Sequence, residues 1–266
     1  MKLQQPEPVF FFSPHLKGSA SFTGMHFREL AGVVIFFFAA YFAGGTQFIL
    51  NAMIFIMVVA LGQFVFQAAG FFSSSRFDPS IFHQSFLLIL FLPTNAPVGM
   101  VAVAAVALSS FYHFSGRRAG YALQPVCLTL GLLQCLAIKP QFALAHFSPV
   151  AGALVFILWF LVRFPKSQIE IQRMLLVAAL VPLLFFLHEK TWIFALLWSA
   201  VAGELIFDRA LAPLSVKGRL WHGIVVLTLF ALLLAGTSLD EAMVLTGLSS
   251  GFFACWIEES FIMRKA

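Results

Sequence analysis

Long apolar runs recur from residue 29 to residue 262 with only short polar breaks between them, and no other feature narrows the fold as far. Inside a bilayer every backbone N–H and C=O must be satisfied within the protein, so runs of this kind fold as helices, with ~20 residues needed for a full crossing. Shorter runs serve as half-helices where protein covers them. On that rule the chain divides into about ten segments, over residues 29–44, 46–70, 80–92, 97–114, 121–138, 149–164, 171–187, 190–207, 219–236 and 241–262. The fold class that follows is an all-α integral membrane protein whose domain spans 29–266, preceded by a cytoplasmic N-terminal arm over 1–28. The arm carries Lys2, Glu7, Lys17 and Arg28 with three prolines, and it lacks the apolar core and small-residue cleavage site of a signal peptide.

Composition agrees: 61% of residues are hydrophobic and 10% charged, against roughly 45–50% apolar in soluble domains. The net charge of +5 does not point to nucleic acid, because the Lys and Arg stand in short loops between apolar runs, where they set topology. With both termini cytoplasmic, the inner side receives 14 of the basic residues and the outer side only Lys139 and Lys190. Adding or dropping one crossing mid-chain destroys that asymmetry, which favours an even number of crossings near ten.

Two segments are unusual. Ser80 to Leu92 is too short for a regular crossing and lies between Asp78-Pro79 and Pro93-Thr94-Asn95-Ala96-Pro97. In a five-plus-five inverted repeat its counterpart is the eighth segment, Lys190 to Phe207, which also ends at an acid and a proline corner. Short or broken helices mark substrate and ion sites in repeat-built transporters, so Glu204 and Asp78 are the ion-path candidates. The alternative for Glu204 is pairing with Arg173 or Arg209 near the cytoplasmic interface. Asp208 lies four residues beyond Glu204, on the same helix face. His83, His113 and His222 stand within or at the ends of segments; two imidazoles from facing helices are the axial set a haem needs, and hydrogen-bonded histidine is the alternative. Cys127, Cys135 and Cys255 lack CxxC spacing and read as small apolar side chains. Soluble-enzyme motifs such as GxGxxG, HExxH or GxSxG have no suitable context, and no catalytic residue is assigned.

Three stretches together resemble the D subunit of Rnf-type electron-transport complexes and the B subunit of the sodium-translocating NADH:quinone reductase. The first is Ser13 to Ser21, "SPHLKGSAS", before the first segment. The second is Leu92 to Ala107, "LPTNAPVGMVAVAAVA", followed by Gly120-Tyr121 and Gln124-Pro125. The third lies within Leu205 to Trp221, "LIFDRALAPLSVKGRLW", where Asp208, Pro213, Leu214, Lys217, Gly218 and Arg219 match the family's loop. The resemblance implies a membrane subunit of an ion-coupled electron-transport complex in a bacterial inner membrane, with other membrane subunits as partners and Asp208, Pro213, Lys217 and Arg219 as cofactor-binding positions. The family carries FMN on a threonine in the loop after segment five. Here that stretch, Lys139 to Ala153, contains no threonine, so covalent FMN is not expected and any FMN or riboflavin is held non-covalently, between segments three and eight. The competing expectation is a stand-alone channel or transporter for a small solute on the same scaffold, and a structural or assembly subunit fits either.

Overall fold

The computed structural model describes residues 24–69, 80–115, 123–145, 147–165, 168–188, 191–207, 213 and 216–263. Among them are nine helices and no strand: α1 (Gly24–Ala68), α2 (Ser80–Ile89), α3 (Val98–Ser115), α4 (Pro125–Cys135), α5 (Pro149–Arg163), α6 (Gln168–His188), α7 (Trp192–Ile206), α8 (Val216–Gly236) and α9 (Leu239–Met263). Among the described residues, three stretches are long and apolar enough to cross a membrane: Arg28–Phe66, Glu170–Leu187 and Lys217–Gly236. An all-helical membrane protein is therefore what the structure gives, and ten full-length spans it is not. Helices α2, α4, α5 and α7 stop well short of ~20 residues, because polar or proline-containing corners end them.

The first helix needs a break, since 45 residues would extend roughly 68 Å at 1.5 Å each, about twice the bilayer core. It comes at Gly45, whose φ of 65° and ψ of −155° lie in a region essentially reserved for glycine. The first arm brings Gly32 against Arg163, at the end of α5, and Gly44 against Thr94, in the α2–α3 corner. The second arm leaves that corner and meets Ser109 of α3 at Gly62. Asn51, just past the break, holds the corner by donating from Nδ2 to the carbonyls of Thr94 at 3.1 Å and Ala96 at 3.3 Å. The Ala96 bond is buried and the Thr94 bond partly so, and satisfying those carbonyls keeps a polar side chain in an apolar setting.

Burial runs inside out around the short helices. From Leu197 to Ile206 every residue of α7 is buried, and Ile81, Gln84, Ser85 and Leu87–Leu92 are buried in α2 and just beyond. The long helices wrap them, α1 packing on α2, α3 and α5, and α6 on α7 and α8. Their outward faces are apolar: Met53, Met57, Leu61 and Phe64 on α1, Leu154, Leu158 and Leu161 on α5, and Phe186 on α6 are exposed. An apolar exterior around a partly polar interior is the distribution a lipid solvent demands. The remaining contacts join α3 to α4, α2 to α3 and α4, α5 to α7, α8 to α9, α7 to α9, and α4 to α9.

Candidate functional site

Four helix ends converge where α5 and α7 finish and α1 and α6 begin. Arg163, the last residue of α5, is only 5% exposed and Glu204 of α7 only 3%. Arg163 addresses the carboxylate with two nitrogens, Nε to Oε1 at 3.0 Å and Nη2 to Oε2 at 3.3 Å. A planar guanidinium suits such a two-point grip. Arg173 of α6 reaches the same carboxylate at 2.7 Å through Nη2, and its Nη1 donates to Glu29 of α1 at 3.2 Å. Glu29 also lies 3.7 Å from Arg163 Nη1. Beside it, Arg28 pairs with Glu170 of α6 at 3.7 Å, donates from Nε to the Val162 carbonyl at 3.1 Å, and donates from Nη2 to the Phe164 carbonyl. The last two bonds satisfy carbonyls that the end of α5 leaves without helical partners.

Local sequence makes room for this cluster. Gly32 faces the Arg163 stem, and a Cβ there would stand 3.0 Å from Arg163 Cδ and 3.2 Å from Trp159 Cδ1, tighter than side-chain carbons ordinarily pack. Trp159 lies one helical turn before Arg163 and stacks at a tilt on Phe36 of α1, so the buried face of α5 is aromatic above and cationic below. His83 of α2 lies within electrostatic reach of the Glu204 carboxylate. At their other end Phe142, from the loop after α4, bridges Phe91 beyond α2 and Phe194 of α7, with ring centroids 5.5 and 5.9 Å apart.

The sequence-derived candidates divide accordingly. Glu204 is at the centre of the cluster, paired with Arg173 and also with Arg163, a residue the loop-charge reading assigned only to topology. Asp78, Asp208 and Arg209 lie outside the described residues, as does most of the loop that follows Phe207. Pro213 is buried and its carbonyl accepts from Arg219 Nε at 2.6 Å, whereas Lys217 is exposed. The pair fastens the start of α8 to the loop before it. His222 is buried, its Nε2 lying 2.8 Å from the Ser250 carbonyl and 3.1 Å from Ser250 Oγ, and that hydroxyl donates to the Ile206 carbonyl at the end of α7. This matches the hydrogen-bonded alternative for that histidine. The His113 side chain lies outside the described residues.

No protein-family model and no curated protein matches the chain. The loop expected to differ from the flavin-carrying family is folded against the core: Gln141 and Ala143 donate their N–H groups to the carbonyls of Phe91 and Leu90. Ser148, the one serine of the Lys139–Ala153 stretch, is the N-cap of α5 and accepts from Ala151 N at 3.3 Å.

Proposed function

We propose that the protein is a transport subunit of a membrane electron-transport complex of the Rnf and sodium-pumping reductase kind, built as a five-plus-five inverted repeat. The observation that carries the transport reading is the recurrence of helix pairings in the two halves. With the two arms of α1 counted as the first two segments, α1 on α2 and α3, α3 on α4, and α2 on α4 correspond to α6 on α7 and α8, α8 on α9, and α7 on α9. The contacts between halves, α1 on α5 and α4 on α9, join first element to first and last to last. A two-fold relation of this kind puts α2 and α7 in equivalent central places, where repeat-built transporters bind their substrates.

Electron transport rests on the sequence resemblance. Any FMN or riboflavin is bound without a covalent link, because the loop has no threonine and its serine is engaged as a helix cap. Orientation follows the basic residues: Arg28, Arg163 and Arg173 share one end of the bundle, whereas Lys139 sits near Glu241 at the start of α9. We place the arginine-rich end in the cytoplasm of a bacterial inner membrane, with both termini on that side. A stand-alone solute channel is the second reading, favoured by the same missing threonine.

The absorbance spectrum of the purified protein separates them. The electron-transport reading expects a flavin near one per chain and co-purifying membrane subunits. A colourless, solitary protein that conducts a small solute in liposomes establishes the second reading instead.

A further inference from the structure

The cluster around Glu204 differs from an ordinary buried ion pair in that its members come from four helix ends: α1, α5, α6 and α7. Of these, α7 is the most buried; α5 and α6 pack on it, and Glu29 of α1 joins the cluster through both arginines. Above the cluster, α7 carries Trp198 and Ser199, both fully buried, whose Nε1 and Oγ have no hydrogen-bond partner among the described residues. Buried polar groups ordinarily bond to protein or water, and in a membrane interior an unsatisfied one is costlier still. Ser199 lies five residues before Glu204, roughly 7.5 Å along the helix at 1.5 Å per residue. Beyond it the Phe91–Phe142–Phe194 bridge closes the opposite end. Along the helix axis, the buried middle of α7 thus lies between an ionic cluster and an aromatic bridge, with Ser199 about 140° round the helix from Glu204.

We propose that the Arg163–Glu204–Arg173–Glu29 cluster is a gate on the arginine-rich face of the bundle, closed in this structure, which screens the polar centre of α7 from the adjoining aqueous phase. The inference rests on the transport reading, yet it concerns a conformation and is tested without any transport assay. Opening parts α6 from α7 and from α1, exchanging the Glu204–Arg173 and Glu29–Arg173 contacts for water. Arg173 is the natural point of release, because it is the more exposed of the two arginines that hold Glu204.

The test places a thiol at the screened position. In a background with Cys127, Cys135 and Cys255 replaced by alanine, Ser199→Cys is reconstituted in vesicles of known orientation and treated with a charged, membrane-impermeant methanethiosulfonate. With the cluster intact the thiol is protected from both sides. Adding Arg173→Gln raises the labelling rate at least about tenfold, from the Arg28-bearing face alone, as expected when the closed state loses a stabilising contact. Arg173→Lys retains most of the protection. Where Arg173→Gln does not fold, Glu29→Gln is the milder variant and shows a smaller rise of the same sidedness. Unchanged labelling in a folded variant, or labelling from the opposite face, overturns the gate. Failure of both variants to fold also overturns it, because the cluster is then a strut that cannot open. Loss or absence of ion transport with the labelling pattern intact overturns the proposed function and leaves the gate standing.

Discussion

Replacing Glu204 by glutamine removes one charge from the most buried part of the cluster and leaves two arginines facing a neutral side chain. Arg163 and Glu204 are both more than nine-tenths buried, so solvent offers little compensation. Truncating one partner of such a pair costs about 3–5 kcal/mol, most of it the penalty of the abandoned charge. Two features hold the expected loss to the lower part of that range. Glutamine keeps an oxygen that accepts from Arg163, and Glu29, 3.7 Å from Arg163 and 3.2 Å from Arg173, supplies a carboxylate that both arginines share. We expect about 3 kcal/mol. The measurement is reversible unfolding in mixed micelles titrated with SDS, followed by tryptophan fluorescence. Arg163→Met combined with Glu204→Gln recovers part of the loss, because the stranded cation is gone. A loss below about 1 kcal/mol for the single variant, the magnitude of a surface pair, refutes the reasoning, since it means that water reaches the carboxylate. Loss of transport in Glu204→Gln is interpretable as a coupling effect only after this folding term has been measured.

Other expectations follow from features at the far end of the bundle. Gly45→Ala forces a Cβ into a backbone region that favours glycine and lowers stability by roughly 1–3 kcal/mol, although no atom stands within 4 Å of the added carbon; an unchanged SDS midpoint excludes the break. Asn51→Ala strands the Thr94 and Ala96 carbonyls and costs about 1–3 kcal/mol, with faster hydrogen exchange confined to the α2–α3 corner as its signature. At the start of α9, Ser238 N–H donates to Glu241 Oε2 at 3.0 Å and Glu241 N–H donates back to Ser238 Oγ at 3.3 Å, a reciprocal cap. The Ser238 amide holds the Glu241 carboxyl below its ordinary range, helped by the Ser238 hydroxyl and by nearby Lys139. A carboxyl whose folded pKa is depressed contributes stability that is present above the usual glutamate value and is lost as pH falls through the folded one. Glu241→Gln therefore removes a small acid-side decline in unfolding midpoint and leaves the neutral-pH slope unchanged; identical acid limbs in both proteins refute the assignment.

Much of the helical plan was legible because lipid imposes a simple rule on composition. The break between the first two runs was expected after residue 44 and lies at Gly45, and the short third run was read as Ser80 to Leu92 against a helix of Ser80–Ile89. Lengths were less legible, since proline, capping and corner hydrogen bonds shorten helices inside apolar sequence. Of the fifth run, read over 121–138, the described residues are helical from Pro125 to Cys135. The first helix begins at Gly24, so Arg28, assigned to the arm, already belongs to it. At the site, Glu204 is legible as an acid in an apolar run, with Arg173 as one of the two partners, beside Arg209, that the pairing alternative offers. Arg163 was missed because a basic residue at the end of a run reads as a topology signal. One sign was present: Gly152, Trp159 and Arg163 fall on one face of α5, and that face is buried. Sequence spacing gives no measure of which helix ends meet, which is why Arg28, Glu29 and Glu170 were not grouped with Glu204.

The distribution of charge among the four helix ends bears on how membrane voltage acts. The adjacent Arg28 and Glu29 give α1 no net charge at the cluster, and Glu170 with Arg173 gives α6 none. Displacing either helix moves equal and opposite charges together, so an electric field across the bilayer does almost no work on it. Arg163 on α5 and Glu204 on α7 are single charges of opposite sign. Only their separation along the membrane normal couples to voltage, by at most about 2.3 kcal/mol per charge per 100 mV for a full crossing. A gate that opens through α1 and α6 thus responds to binding and stays indifferent to the potential, whereas one that opens through α5 and α7 senses it.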